Sequence, residues 1–175
     1  MARVSNIEEE TFTVISRDEK RALHRKGIER HREELKSGAI NRGADYGKNQ
    51  LYRDERVAWS QLAHLKREMS ITELQIETEA LFRDERVMQC DPYPGDKVVV
   101  EASCRNGAVA YSYSRIIRYG TLRDNFTMYH EAAHVMGNYK HGREFKEAYV
   151  KIFTWFLGVD AGMILARNIG IHFQP

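Results

Sequence analysis

Cysteine and proline are scarce: two and three residues, respectively, in a chain of 175. Two cysteines, Cys90 and Cys104, cannot build a disulfide framework, and their separation is too wide for a short zinc-thiolate pair. They read as buried free thiols, and a reducing cytoplasmic setting is the expectation. No apolar run approaches the roughly 18 residues that a membrane span needs. The richest stretch, Ile152 to Ala166, is broken by Asp160, so no membrane partner is expected. Met1 to Glu10 ends in three consecutive glutamates with no apolar core before them, which does not read as a secretory signal. A formal net charge of +2 is too small to argue for nucleic acid by itself.

The chain is 42% hydrophobic and 30% charged, a balance that supports one packed domain with an extension. Residues 17–36 read as a polar helix with Ser16 and Glu19 as its capping box. This helix carries eight basic and five acidic residues and few apolar ones, so it reads as mostly solvated. The sharper alternative is a docking arm for an acidic partner, nucleic acid included. The glycine-rich stretch 37–50 is the best linker candidate, which divides the chain into an extension over 1–48 and a domain over 49–175. Two helices follow over about 51–89, the second capped by Ser70 with Glu73. The Arg53-Asp54-Glu55-Arg56 tetrapeptide reads as helix-surface charge pairing. Asp91-Pro-Tyr-Pro-Gly95 breaks the helical pattern. The stretch 97–105 then reads as a strand, Asn106-Gly107 as a hairpin turn and 109–114 as the returning strand, with Ile116-Ile117 extending it or starting a third. Helical periodicity resumes at Asp124, breaks at Gly137-Asn138, returns near Gly142 and ends at Gly170.

The chemistry concentrates in His130-Glu131-Ala132-Ala133-His134. Residues i and i+4 share one helix face, so both imidazoles can reach one ion, with Glu131 at the edge of the same site as a general base. His141, just ahead of the next helix, is the expected third ligand. Three nitrogens leave a fourth position open, the catalytic pattern for zinc. Metzincin spacing would put the third histidine at 140, which is Lys140. A carboxylate ligand from Glu144 or Glu147 is the alternative. Tyr139, Arg143 and His172 are candidate donors to a developing oxyanion. His24, His31 and His64 read as surface residues, and Trp59, Trp155 and the aromatic stripe over 145–156 read as core.

His130-Glu131-x-x-His134 followed by His141-Gly142-x-Glu144-Phe145 resembles the signature of SprT-like zinc metalloproteases. The stretch from about Leu51 to Phe173 resembles a family of small metallohydrolases of actinobacteria and their phages, whose opening Arg-Asp helix is partly matched at Arg53–Arg56. The resemblance implies a zincin-like fold and an intracellular setting, and no established substrate. The expectation is an α+β zincin-like domain with a small antiparallel sheet and the His-Glu-x-x-His helix, preceded by the polar helical extension. Its expected function is zinc-dependent hydrolysis of a peptide bond in a protein or peptide substrate, with His130, His134 and His141 as ligands and Glu131 as base. The alternatives are a phage assembly or host-interaction protein on a zincin scaffold with a structural or residual metal, and a nucleic-acid-associated factor acting through the arm.

Overall fold

A computed structural model describes residues 15–37, 45, 47–104, 106–136 and 140–174. The fold is α+β. Its helices are α1 (Arg17–Ser37), α2 (Lys48–Gln61), α3 (Ile71–Arg83), α4 (Glu85–Cys90), α5 (Asn125–Val135), α6 (Arg143–Leu157) and α7 (Val159–Ile169), and its strands are β1 (Val99–Ala102), β2 (Ala108–Tyr111) and β3 (Ile116–Tyr119). Both capping boxes form: Ser16 and Glu19 exchange backbone and side-chain hydrogen bonds, as do Ser70 and Glu73. The expected break at Gly137-Asn138, the Tyr139 candidate and most of the 37–50 linker lie outside the described residues.

The sheet is mixed, and the expected hairpin at Asn106-Gly107 is not formed. Strand order is β1-β3-β2, with β1 parallel and β2 antiparallel to β3. The reason lies in the side chains. In β3, Ile116, Ile117 and Tyr119 have no exposed surface, whereas β1 and β2 are each partly exposed. The most apolar strand takes the centre, where both faces are covered. Asn106-Gly107 therefore lies on a crossover from β1 to the far edge, and the tight turn falls at Ser112–Ser114, between β2 and β3. That turn ends at Arg115, a non-glycine residue with φ of 53°. Its guanidinium makes a two-pronged pair with Asp91 at 2.7 and 2.6 Å, both side chains being 1% exposed. Removing one partner of such a pair strands a buried charge and costs about 3–5 kcal/mol. Asp91→Asn keeps the shape and removes the charge, and chemical denaturation is expected to show a loss approaching that size.

Every residue of α5 is buried, so this helix is the centre of the molecule. It packs against β2 and α6, and α6 packs in turn on α7. Phe126, Tyr129, Tyr149 and Phe153 interleave their rings across the α5–α6 contact. Trp59 and Trp155 are half-buried at the margin of this core. The α6–α7 approach is close: a Cβ on Gly162 would lie 1.9 Å from Thr154 Oγ1. Cys90 and Cys104 are both free and, contrary to expectation, exposed.

The polar helix α1 is docked along the chain itself. Lys26 bonds Asp96 at 2.8 Å, Arg30 pairs with the same carboxylate, and Glu34 accepts from the Tyr93 hydroxyl at 2.9 Å. Gly27 is buried against the Ser112–Ser114 turn, where a Cβ would lie 2.5 Å from Ser114 Oγ. His24 and His31, expected on the surface, sit on this docked face, His24 3.3 Å from Ser114 Oγ and His31 against the Tyr113 ring. Among the described residues, no helix is long and apolar enough to cross a membrane.

Candidate metal centre

Asp124 caps α5 by accepting from the Thr127 backbone N–H at 2.8 Å. Asn125 ties the helix start to the preceding loop, its amide bonding Arg67 N and Leu65 O. From this fixed start, the 3.6-residue period turns His130 and His134 to the same side. His141 arrives one residue before Gly142, the N-cap of α6. All three histidines are buried. His141 Nε2 lies 3.1 Å from His134 Nε2 and 3.3 Å from His130 Nε2. Nitrogens bound at about 2.0–2.1 Å on neighbouring corners of a tetrahedron are about 3.3–3.4 Å apart. The three side chains are therefore close enough to hold one metal ion.

The far sides of two rings are also fixed. His130 Nδ1 is 2.7 Å from Glu55 Oε1, and that oxygen also accepts from Tyr149 Oη at 2.7 Å. Trp59 Nε1 donates in turn to Tyr149 Oη at 3.0 Å. His141 Nδ1 is 2.5 Å from Asp45 Oδ2, and its backbone N–H reaches Asp45 Oδ1 at 3.3 Å. A carboxylate on Nδ1 holds the proton there and leaves the Nε2 lone pair facing the ion, the usual support of metal-binding histidines. Burial, the largest influence on His130, disfavours its charged form, but the Glu55 charge and hydrogen bond outweigh it and the net shift is upward. For His141, burial dominates and the shift is downward.

Glu131 is buried beside this cluster. Burial pushes its carboxyl above the usual range, against the opposing pull of His130 and a backbone hydrogen bond from Ala110 on β2. A base with a raised value is better matched to neutral pH than an ordinary glutamate. The Tyr52 ring stands 5.2 Å from His141 and 5.8 Å from His130, centroid to centroid. Burial, then the charges of Glu131, Glu55 and Asp45, push its hydroxyl up to about 12, so it keeps its proton at neutral pH and can donate a hydrogen bond.

The three histidines read as ligands from the sequence lie close together, and Glu144 and Glu147 lie apart from them. Glu144 is exposed, and Glu147 accepts from Arg143 at 2.7 Å. Arg143 and His172 line a separate hollow bordered by His141. Sequence reasoning missed Glu55, Asp45, Tyr52 and Tyr149. Glu55 was legible in principle, because it lies on the α2 face that carries Leu51, Tyr52 and Trp59 and so points inward. Outer carboxylates of this kind typically govern 10- to 100-fold of metal affinity. Glu55→Gln is expected to weaken zinc binding by about that factor, read by competition against a chromophoric chelator, with the fold retained.

No protein-family model, no curated protein and no solved structure matches the chain.

Proposed function

We propose that the chain is a zinc-dependent hydrolase that cleaves peptide bonds. The single observation that carries this reading is the convergence of three histidine Nε2 atoms at ligand spacing, with the buried Glu131 beside them. Three protein nitrogens are the donor set of catalytic zinc, and a structural site would use a fourth protein ligand and leave Glu131 idle. When bound, the ion supplies Lewis acidity and makes a water acidic near neutral pH.

The chain's own residues supply the rest. His130, His134 and His141 would hold the ion, with Glu55 and Asp45 fixing the rings of His130 and His141. Glu131 takes a proton from the attacking water and passes it to the leaving nitrogen. Tyr52 is the proposed hydrogen-bond donor to the developing oxyanion, in place of Arg143 and His172. Strand β2 is an edge strand whose Ala110 bonds Glu131, so an extended peptide paired along it would pass beside the base. The test is whether the zinc-loaded chain cleaves a mixed library of unfolded peptides at sites that the Glu131→Gln variant leaves intact.

A further inference from the structure

A cavity of about 230 Å³ opens beside the metal centre. His130 and Glu131 form one wall, and Tyr52, Arg56 and Trp59 of α2 form another. Its size suits one substrate side chain, being below the roughly 300 Å³ at which whole-ligand pockets begin. The α2 wall follows from helix periodicity: Lys48, Tyr52, Glu55, Arg56 and Trp59 fall within a stripe about 100° wide. Trp59 and Tyr52 give this wall flat apolar surface, and Leu122 also lines the cavity.

The charges in and around the cavity are unevenly committed. Glu55 accepts from His130 and Tyr149, and Asp45 accepts from His141. Arg56 is exposed, and among the described residues it has no hydrogen bond or ion pair. Thr127 also lines the cavity, and its Oγ1 is buried without a hydrogen-bond partner among the described residues. The lining is mixed: beside Tyr52, Trp59, Ala108 and Leu122 it holds two glutamates already bonded within the chain, Glu55 to His130 and Tyr149 and Glu131 to the Ala110 N–H. The uncommitted polar groups are the Arg56 guanidinium and the Thr127 hydroxyl, and these two complement an anionic, planar group.

We infer that this cavity is a specificity pocket for a carboxylate carried by the substrate residue next to the scissile bond, with Arg56 as its partner. The role of that residue as part of a substrate rests on the amide-hydrolase reading; the carboxylate preference itself does not. Two sources share this chemistry, the α-carboxylate of a chain end and an acidic side chain within a peptide.

The test is binding, so it does not depend on turnover. The zinc-loaded full chain is titrated with 3-phenylpropanoate and with 3-phenylpropanamide, which differ only in the charge. The indole N–H resonances of Trp59 and Trp155 report the site, because only Trp59 lines the cavity. The acid is expected to bind about five-fold more tightly than the amide, the size of a partly exposed ion pair, and to shift Trp59 alone. Arg56→Gln should abolish that preference and Arg56→Lys should keep part of it. An acid bound through zinc would keep its preference in Arg56→Gln, which would overturn the assignment. Equal binding of acid and amide, or no binding, would overturn it too. Two further probes separate the sources: N-acetyl-Ala-Phe with a free end, and N-acetyl-Ala-Glu amidated at its end. Whichever probe is weakened by Arg56→Gln names the carboxylate. Loss of the hydrolase reading would show instead as Glu131→Gln having no effect on cleavage, with these affinities unchanged.

Discussion

His141→Ala is expected to purify with less than about 0.1 equivalent of zinc where the unchanged chain carries about one. The argument is geometric. His130 and His134 ride on one buried helix, but two imidazoles alone leave the ion with half its usual protein ligands. His141 would close the set, its Nε2 lying 3.1 and 3.3 Å from the other two nitrogens. It is also the one supplied from outside α5, held by Asp45 through both its ring and its backbone. The alanine variant should keep its fold, since α6 is anchored by Phe145, Tyr149 and Phe153, all buried. Circular dichroism alongside elemental analysis checks both halves. Acid should act in the same direction. The Glu55 carboxylate favours a proton on His130 and raises its value, so protons compete with the ion from a higher pH than at an ordinary histidine. Zinc affinity is therefore expected to fall as pH drops through the histidine range. Glu55→Gln removes the charge that raises His130, so this fall should begin at a lower pH in that variant even though its affinity is weaker throughout.

Glu131→Gln should separate metal binding from catalysis. The substitution is isosteric and keeps the Ala110 backbone partner an oxygen to bond, so the helix and its three ligands should stand. Zinc content is expected to match the unchanged chain. Cleavage of library peptides is expected to fall by about 10²- to 10⁴-fold, the usual contribution of a positioned base. Unchanged cleavage in a zinc-replete variant would remove Glu131 from the proton path, and with it the proposed mechanism.

Much of the site could be read from the sequence because its parts are local. The i, i+4 spacing put His130 and His134 on one face, and His141 stood at the entrance of the next helix. The supporting carboxylates were harder to see. Glu55 sits within a run of charges that looked solvated, and only its apolar neighbours on α2 indicate that it is buried. Asp45 belongs to a glycine-rich stretch with no periodicity, 96 residues from the imidazole it holds. The docking of α1 was hidden for a related reason. It depends on pairs such as Lys26 with Asp96, 70 residues apart, and on Gly27 meeting a turn that local patterning does not place. Strand order failed where a local signal met a global one. Asn106-Gly107 favours a hairpin, but burying Ile116, Ile117 and Tyr119 at the sheet centre won.

The most direct test of the metal centre is zinc-edge X-ray absorption on the purified chain, loaded with one equivalent of zinc. The account predicts three imidazole nitrogens and one further light atom at about 2.0–2.1 Å. A sulfur shell at about 2.3 Å, from Cys90 or Cys104, would contradict it, as would a chain that does not retain the ion.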